Sequence, residues 1–358
     1  VRVGIVGYTN LTSGIGVFDY ELWKNLPADS ILSVDAGIKG QQVWTDRQMT
    51  AGRPPRNMDI KEYFETYRPD VIIFMETPFN ESIYNISKKH NVKTVGIPMH
   101  ETFTARRLYP DFLICPCITA YEKAREADKV LLFLPISTEL FPFKLRTGHD
   151  FVLNIGYNGV YDRRQSRKIV EAFKRLPEEA KLFIHAQDKL EDDLDVNDPR
   201  ITVEVGNYEL PRTGYERGDI LIAPQAYGGY ERSILEGMAS GMPVLTTNAD
   251  PMCQYQHDPQ FLVEPCQKFA ISSQWVVNTI YNEVSVDSLE EKFKWLLTID
   301  TEKYSKRARE QAVAQSWESK DIDYRGAWNK VLEELVGKTR DDNVQRLSSH
   351  PDSGGVFV

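Results

Sequence analysis

The stretch Pro224-Gln-Ala-Tyr227-Gly228-Gly229-Tyr230-Glu231-Arg232-Ser-Ile-Leu235-Glu236-Gly237-Met238-Ala-Ser-Gly241-Met-Pro243-Val244-Leu245 decides how this chain folds. It leaves the apolar run Ile220–Ala223, turns on paired glycines, reads as a helix over Ser233–Ser240, and breaks at Gly241-Met-Pro243 before the apolar run Pro243–Thr247. Apolar strand, glycine turn, helix and apolar strand make a βαβ unit, and strands apolar along their whole length are those buried on both faces of a parallel sheet. Glycines at the turn let backbone N–H groups approach an anion at a helix N-terminus. Glu236 falls about one turn into the helix, where a carboxylate can accept two hydrogen bonds from the vicinal hydroxyls of a ribose.

The same rhythm extends in both directions. Upstream within this half, Phe151–Ile155, Lys181–His185 and Ile201–Val205 read as strands, Phe261–Val263 as a later one, and Arg164–Arg175 as a helix. In the first half the strands are Arg2–Val6, Ile31–Val34, Val71–Met75, Lys93–Ile97 and Val130–Phe133, separated by helices at Val17–Asn25, Ile60–Tyr67, Ser82–His90 and Thr119–Ala127. The rhythm lapses over Leu134–Asp150, which holds Pro135, Pro142, Gly148 and a basic Lys144-Leu-Arg146, so the linker is expected there. Beyond Val284 the pattern is helical, over Asp287–Leu297, Glu302–Gln315 and Tyr324–Val336, before a polar tail. An α/β chain of two doubly wound domains follows, at 1–145 and 146–320, with 321–358 as a C-terminal helix and tail expected to pack back toward the first domain. Two such sheets offer a crevice at the carboxyl ends of their strands.

Three further loops carry candidate chemistry. After the first strand, Ser13-Gly14-Ile-Gly16 opens a helix, although the dinucleotide fingerprint G-x-G-x-x-G fails at Asp19 and no phosphate-binding G-x-x-x-x-G-K-[ST] occurs. A structural turn explains that loop about as well as a ligand does. His100-Glu101 follows the strand ending at Ile97, at the edge where one imidazole nitrogen can reach a ligand hydroxyl. In Asn158-Gly159-Val-Tyr-Asp162-Arg163-Arg164-Gln-Ser-Arg167-Lys168, four cations crowd a helix entry that prefers anions. A bound phosphate would offset that cost, which selects Arg163 and Arg164, with Arg167 and Lys168 read as a solvated face.

Composition narrows the classes. With 358 residues, 41% of them hydrophobic, the chain can fill two cores, and its net charge of −9 argues against strong non-specific nucleic-acid binding. Residues 1–145 hold 17 basic and 17 acidic side chains, so the acidic excess falls on the remainder. Four cysteines without supporting histidine pairs read as free thiols in a reducing compartment rather than as a metal site. The N-terminus reads as a strand without a basic-then-apolar leader, and a cytoplasmic protein is the expectation.

The run Leu235-Glu236-Gly-Met238-Ala-Ser-Gly241-Met-Pro243-Val244 resembles the signature of the retaining, nucleotide-sugar-dependent glycosyltransferases of family four, in the GT-B fold. Ser13-Gly14-Ile-Gly16, His100, Ile136-Ser-Thr-Glu139-Leu-Phe141 and Phe151-Val-Leu-Asn-Ile-Gly156 are similar to family segments in the same order, over roughly residues 1–335. The resemblance implies GT-B architecture and retaining sugar transfer from a nucleoside diphosphate, with a UDP-sugar as the expected donor and no obligatory metal or other cofactor. It implies that His100, Arg163 and Arg164 act at the reacting end. Gly14, Gly16, Gly228, Gly229, Tyr230, Glu231, Leu235 and Glu236 would line the donor site, Glu236 holding the ribose. The chain departs at the family's first glutamate, which seven residues separate from the equivalent of Glu236: here that residue is Gly228, and Glu231 lies three residues further on. The departure keeps two alternatives open, a catalytically idle nucleotide- or sugar-binding partner subunit and a nucleotide-sugar epimerase. The Tyr-Gly-Gly loop is similar to that of phage-encoded relatives, so the acceptor hydroxyl is expected on modified DNA or on a small molecule or glycan. Lys88, Lys89, Arg106 and Arg107 are the candidate phosphate contacts for a DNA acceptor.

Overall fold

β1 (Val3–Gly7) is buried along its whole length in the computed structural model. Five consecutive buried residues need cover on both faces, which a parallel sheet with crossover helices supplies. The structure describes residues 1–35, 37, 40–76, 78–103, 110–124, 127–155, 162–187, 190, 194–273 and 276–337. They divide into two units. One holds Val1–Met99, Phe103–Pro135 and the chain from Asp321 onward; the other holds His100–Thr102 and Ile136–Lys320.

In the first unit β1 is followed by α1 (Gly14–Asn25), β2 (Ala28–Asp35), β3 (Gln48–Gly52), α2 (Asn57–Tyr67), β4 (Val71–Met75), α3 (Ser82–Lys89), β5 (Lys93–Ile97), β6 (Phe112–Cys115), α4 (Ile118–Lys123) and β7 (Lys129–Leu131). The seven strands are ordered β3-β2-β1-β4-β5-β6-β7 and pair in parallel. The order reverses between β1 and β4, as a doubly wound sheet requires. Ile60, Tyr63 and Phe64 of α2 and Ile83 of α3 pack with Val6, Leu32 and Ile72 in one core.

The second unit runs β8 (Phe151–Asn154), α5 (Ser166–Lys174), β9 (Leu182–Ala186), β10 (Ile201–Val205), β11 (Ile220–Ala223), α6 (Arg232–Ala239), β12 (Val244–Thr247), β13 (Leu262–Val263), β14 (Gln267–Ile271), β15 (Thr279–Glu283), α7 (Val286–Leu296) and α8 (Thr301–Ala314). Its main sheet has the order β10-β9-β8-β11-β12-β13, again all parallel, with the switch point between β8 and β11. α9 (Tyr324–Gly337) belongs to the first unit, where Trp328 is fully buried and Arg325 donates to Asn25 Oδ1 at 2.5 Å. Two parallel doubly wound sheets agree with the α/β, GT-B expectation. No helix among the described residues is long and apolar enough to cross a membrane.

Four strands differ from the sequence reading, which passes over them. β3 is a polar edge strand, Gln48-Met-Thr-Ala-Gly52, partnered on one side only. β6 has four residues running straight into Cys-Pro-Cys. β14 and β15 form an antiparallel hairpin, and four of the five β14 residues are exposed. β3 and β14 bury little and so leave little hydrophobic period to read, whereas β6 is apolar and buried over its last three residues but only four residues long. The hairpin nonetheless matters: Tyr281 and Ile271 pack with Ala226 and Tyr227, on the loop that follows β11.

Candidate functional site

The carboxyl ends of β8 and β11 stand side by side at the switch point of the second unit, and the loop after each delivers one half of a charged cluster. Arg163 and Arg164 come from the turn before α5, and Gln225 through Glu231 from the loop before α6. A backbone bond from Ala226 N to Arg163 O (2.8 Å) ties the loops together. Gln165, fully buried with φ 54°, clamps them further. Its Nε2 donates to Pro224 O at 2.6 Å, and its Oε1 accepts from Val284 N at 2.9 Å.

Arg163 donates through Nε to Gln225 Oε1 (3.2 Å) and through Nη2 to Glu231 Oε1 (2.5 Å), and its Nη1 lies 3.9 Å from Glu101 Oε1. Arg164 donates through Nε to Ile155 O (3.1 Å) and brings Nη1 to 3.7 Å from Glu231 Oε2. Glu231, 2% exposed, therefore bridges both guanidinium groups. Burial opposes the Arg163 charge, but Glu231 and Glu101 outweigh it and hold that pKa above the ordinary arginine value. Arg164 goes the other way: burial and the charge on Arg163 push it down to about 10.

Glu236, 9% exposed on the first turns of α6, sits beside this pair. Its Oε1 accepts from Arg232 Nε at 2.8 Å, and its Oε2 accepts from Tyr215 OH at 2.6 Å. Burial and the facing carboxylate raise the Tyr215 pKa well above its usual value, which keeps the phenol a donor. Tyr215 is held in turn by Arg146, a fully buried guanidinium that donates to the carbonyls of Tyr215 (2.6 Å), Gly218 (2.7 Å) and Ser240 (3.2 Å). The helix approaches β11 closely because residue 237 is glycine: a Cβ there would fall 2.6 Å from Leu221 Cδ2. It ends on Gly241 at φ +85°, the left-handed stop that glycine favours.

The structure thus brings Arg163, Arg164, Gly228, Gly229, Tyr230, Glu231 and Glu236 into one neighbourhood of the second unit. Leu235 shares α6 but is 1% exposed, a core residue. His100 is buried within His100–Thr102, which groups with this unit. Its Nδ1 is 3.8 Å from Glu101 Oε2, and Glu101 O accepts from Val277 N at 2.7 Å. Gly14 and Gly16 lie in the first unit. Gly16 N donates to Ser13 Oγ (3.1 Å) in a helix cap, and a Cβ on Gly16 would collide with the Asn10 backbone carbonyl; around Gly14 there is open space. That pattern is the structural turn weighed above. Gly228 is required for a reason that spacing does not convey. A Cβ there would overlap Glu231 Oε1 and come within 2.5 Å of its Cδ, so the Glu231 carboxylate occupies the space of a 228 side chain. Lys168 departs from the solvated reading, since it pairs with Glu283 and donates to Val284 O (3.0 Å). Tyr215, Arg232, Gln165, Gln225 and Arg146 escaped the sequence reading; only Lys144-Leu-Arg146 left a trace, as linker charge. Asn158, Gly159, Arg106 and Arg107 lie outside the described residues.

Residues 153–276, which span this cluster, match the family described as glycosyl transferases group 1. A comparison with curated protein sequences finds no match. Among solved structures, the fold is similar to sucrose-phosphate synthase from Thermosynechococcus elongatus (TM-score 0.69, 13% identity, 94% of this chain and 100% of that one). It is also similar to a glycosyltransferase from Rickettsia africae (0.64, 13%, 94% and 99%) and to Anabaena HepE in complex with UDP and glucose (0.64, 11%, 94% and 100%). The chain therefore has the GT-B fold with two Rossmann-like domains, and its residues 153–276 match the family described as glycosyl transferases group 1.

Proposed function

We propose that this chain transfers a sugar, with retention, from a nucleoside-diphosphate sugar to a hydroxyl acceptor, and that a UDP-sugar is the donor. The observation that carries the reading is the pairing, at one switch point, of two half-buried arginines with the Glu236 carboxylate held by Arg232 and Tyr215. The geometry suits the two ends of a nucleoside diphosphate. Each Glu236 oxygen has one partner in the protein and a second lone pair for a ribose hydroxyl. Arg163 and Arg164 present planar donor edges that match phosphate oxygens. In a dissociating sugar–phosphate bond, negative charge accumulates on the leaving diphosphate, and fixed cations stabilise that charge more than they stabilise the ground state. His100, whose Nδ1 lies 3.8 Å from Glu101 Oε2, is assigned to the sugar end. The likeness to HepE with bound UDP and glucose supports the choice of donor.

Calorimetry tests the donor assignment. Glu236→Ala removes two charge-assisted contacts to the ribose, about 2–4 kcal/mol, so UDP affinity should fall at least tenfold in a folded variant. Unchanged affinity overturns the assignment of Glu236.

A further inference from the structure

We propose that Glu231 is a resident counter-ion of the Arg163–Arg164 pair, displaced when a diphosphate binds; this rests on the donor-site reading above. Both arginines are held by neutral partners that involve no carboxylate. Arg163 Nε is fixed on Gln225 Oε1 and Arg164 Nε on the Ile155 carbonyl. The remaining edge of each guanidinium faces Glu231. Departure of that carboxylate leaves the arginines oriented, with donor edges in place for phosphate oxygens.

Glu231 is the movable member. It stands at the N-cap of α6, yet its side chain makes no capping bond to the helix. Its carboxylate partners are the two arginines. The backbone can therefore keep its course while the side chain turns away. Room for its present pose exists because residue 228 has no Cβ. The anion and the missing side chain belong to one arrangement.

Charge makes the exchange necessary. Arg163, Arg164 and Arg232 face Glu101, Glu231 and Glu236, three cations against three carboxylates. A diphosphate added to this set would place at least two further negative charges beside a carboxylate in a site only partly open to water, where like charges at contact distance repel. Releasing Glu231 returns a carboxylate to solvent and frees the bidentate face of Arg163 for the phosphate. Diphosphate affinity is then set by competition with an internal anion, and the unliganded site stays neutral and folded.

The experiment uses the whole chain, with inorganic pyrophosphate as probe and calorimetry as readout. Glu231→Gln keeps the shape but removes the competing charge, and pyrophosphate should bind about tenfold more tightly. In an Arg163→Gln background the same change should have little effect. Glu231→Asp, which draws the carboxylate back by one methylene, should fall between wild type and Glu231→Gln, and provides the test if the amide variant does not fold. Unchanged or weaker pyrophosphate binding in the folded variants overturns the exchange, as does loss of fold in both, since the carboxylate would then be a structural partner. The two readings fail separately. UDP binding that depends on Glu236 while Glu231→Gln weakens pyrophosphate refutes the exchange alone. Tighter pyrophosphate binding in Glu231→Gln, with UDP no better than pyrophosphate in any form, refutes the donor reading alone.

Discussion

Replacing Gly228 by alanine adds a single carbon at the most crowded point of the charged cluster. The new Cβ overlaps Glu231 Oε1, lies 2.5 Å from Glu231 Cδ and lies 3.0 Å from Arg163 Nη2. The obstacle is the end of a flexible side chain, so the backbone can stay and the carboxylate must leave. Arg163 then loses its 2.5 Å charge-assisted bond and keeps Gln225 and a Glu101 oxygen 3.9 Å away. Deleting one partner of a buried ion pair costs roughly 3–5 kcal/mol; here the Arg163 side chain is 23% exposed and water can reach it, so about 2–3 kcal/mol is expected. For a domain of this size that lowers the melting temperature by roughly 4–12 °C. Scanning calorimetry measures the shift in the single variant and in a Glu231→Ala background. With the carboxylate gone the added methyl finds space, so Gly228→Ala should cost under about 0.5 kcal/mol there, a strongly non-additive pair. A Gly228→Ala protein melting within about 1 °C of wild type, or losing as much stability without Glu231 as with it, refutes the claim that Gly228 and the Glu231 carboxylate share one space.

Arg146→Met should destabilise the second unit by roughly 3–5 kcal/mol, because three carbonyls, two of them in buried bonds, lose a charged donor together. Arg146→Lys should not rescue it, since a point charge cannot span three directions; a melt within experimental error of wild type for either variant contradicts this. Asp19 concerns pH. Buried without solvent access, its carboxyl is raised well above the usual range, while Tyr8 N–H on its Oδ2 pulls the other way. The folded state then binds a proton that the unfolded chain has released, so this stabilisation is complete below about pH 4 and is lost as pH rises through the raised value. Asp19→Asn should flatten that part of the stability profile in chemical denaturation; an identical profile shows that Asp19 is not the group responsible.

Much of the site was legible because its loops are local. The glycine turn, the α6 helix with Glu236 and the Gly241-Met-Pro243 stop lie within one 22-residue stretch. Helix period and turn chemistry are properties of near neighbours along the chain. Arg163 and Arg164 were legible as cations placed where a helix entry disfavours them. Tyr215 was not, since its bond to Glu236 spans 21 residues and a lone tyrosine between Gly214 and Glu216 carries no periodic signal. Arg146 reads in sequence as linker charge, although it is one of the largest fully buried side chains.

The sequence by itself determined the alternation of apolar runs and amphipathic helices, and with it two doubly wound sheets, because burial on both faces leaves a strand no polar position to spare. It pointed as well to the loops after Ala223 and before α5 as the candidate site, where strands end and glycine or excess charge marks a turn. Only the tertiary structure decided which charges meet. Strand order set β8 beside β11, which put Arg163 against Glu231 across 68 residues of chain and turned the missing side chain at 228 into the seat of a carboxylate. Ion pairing depends on distance in space, and spacing along the chain constrains that distance only within a turn or two of helix.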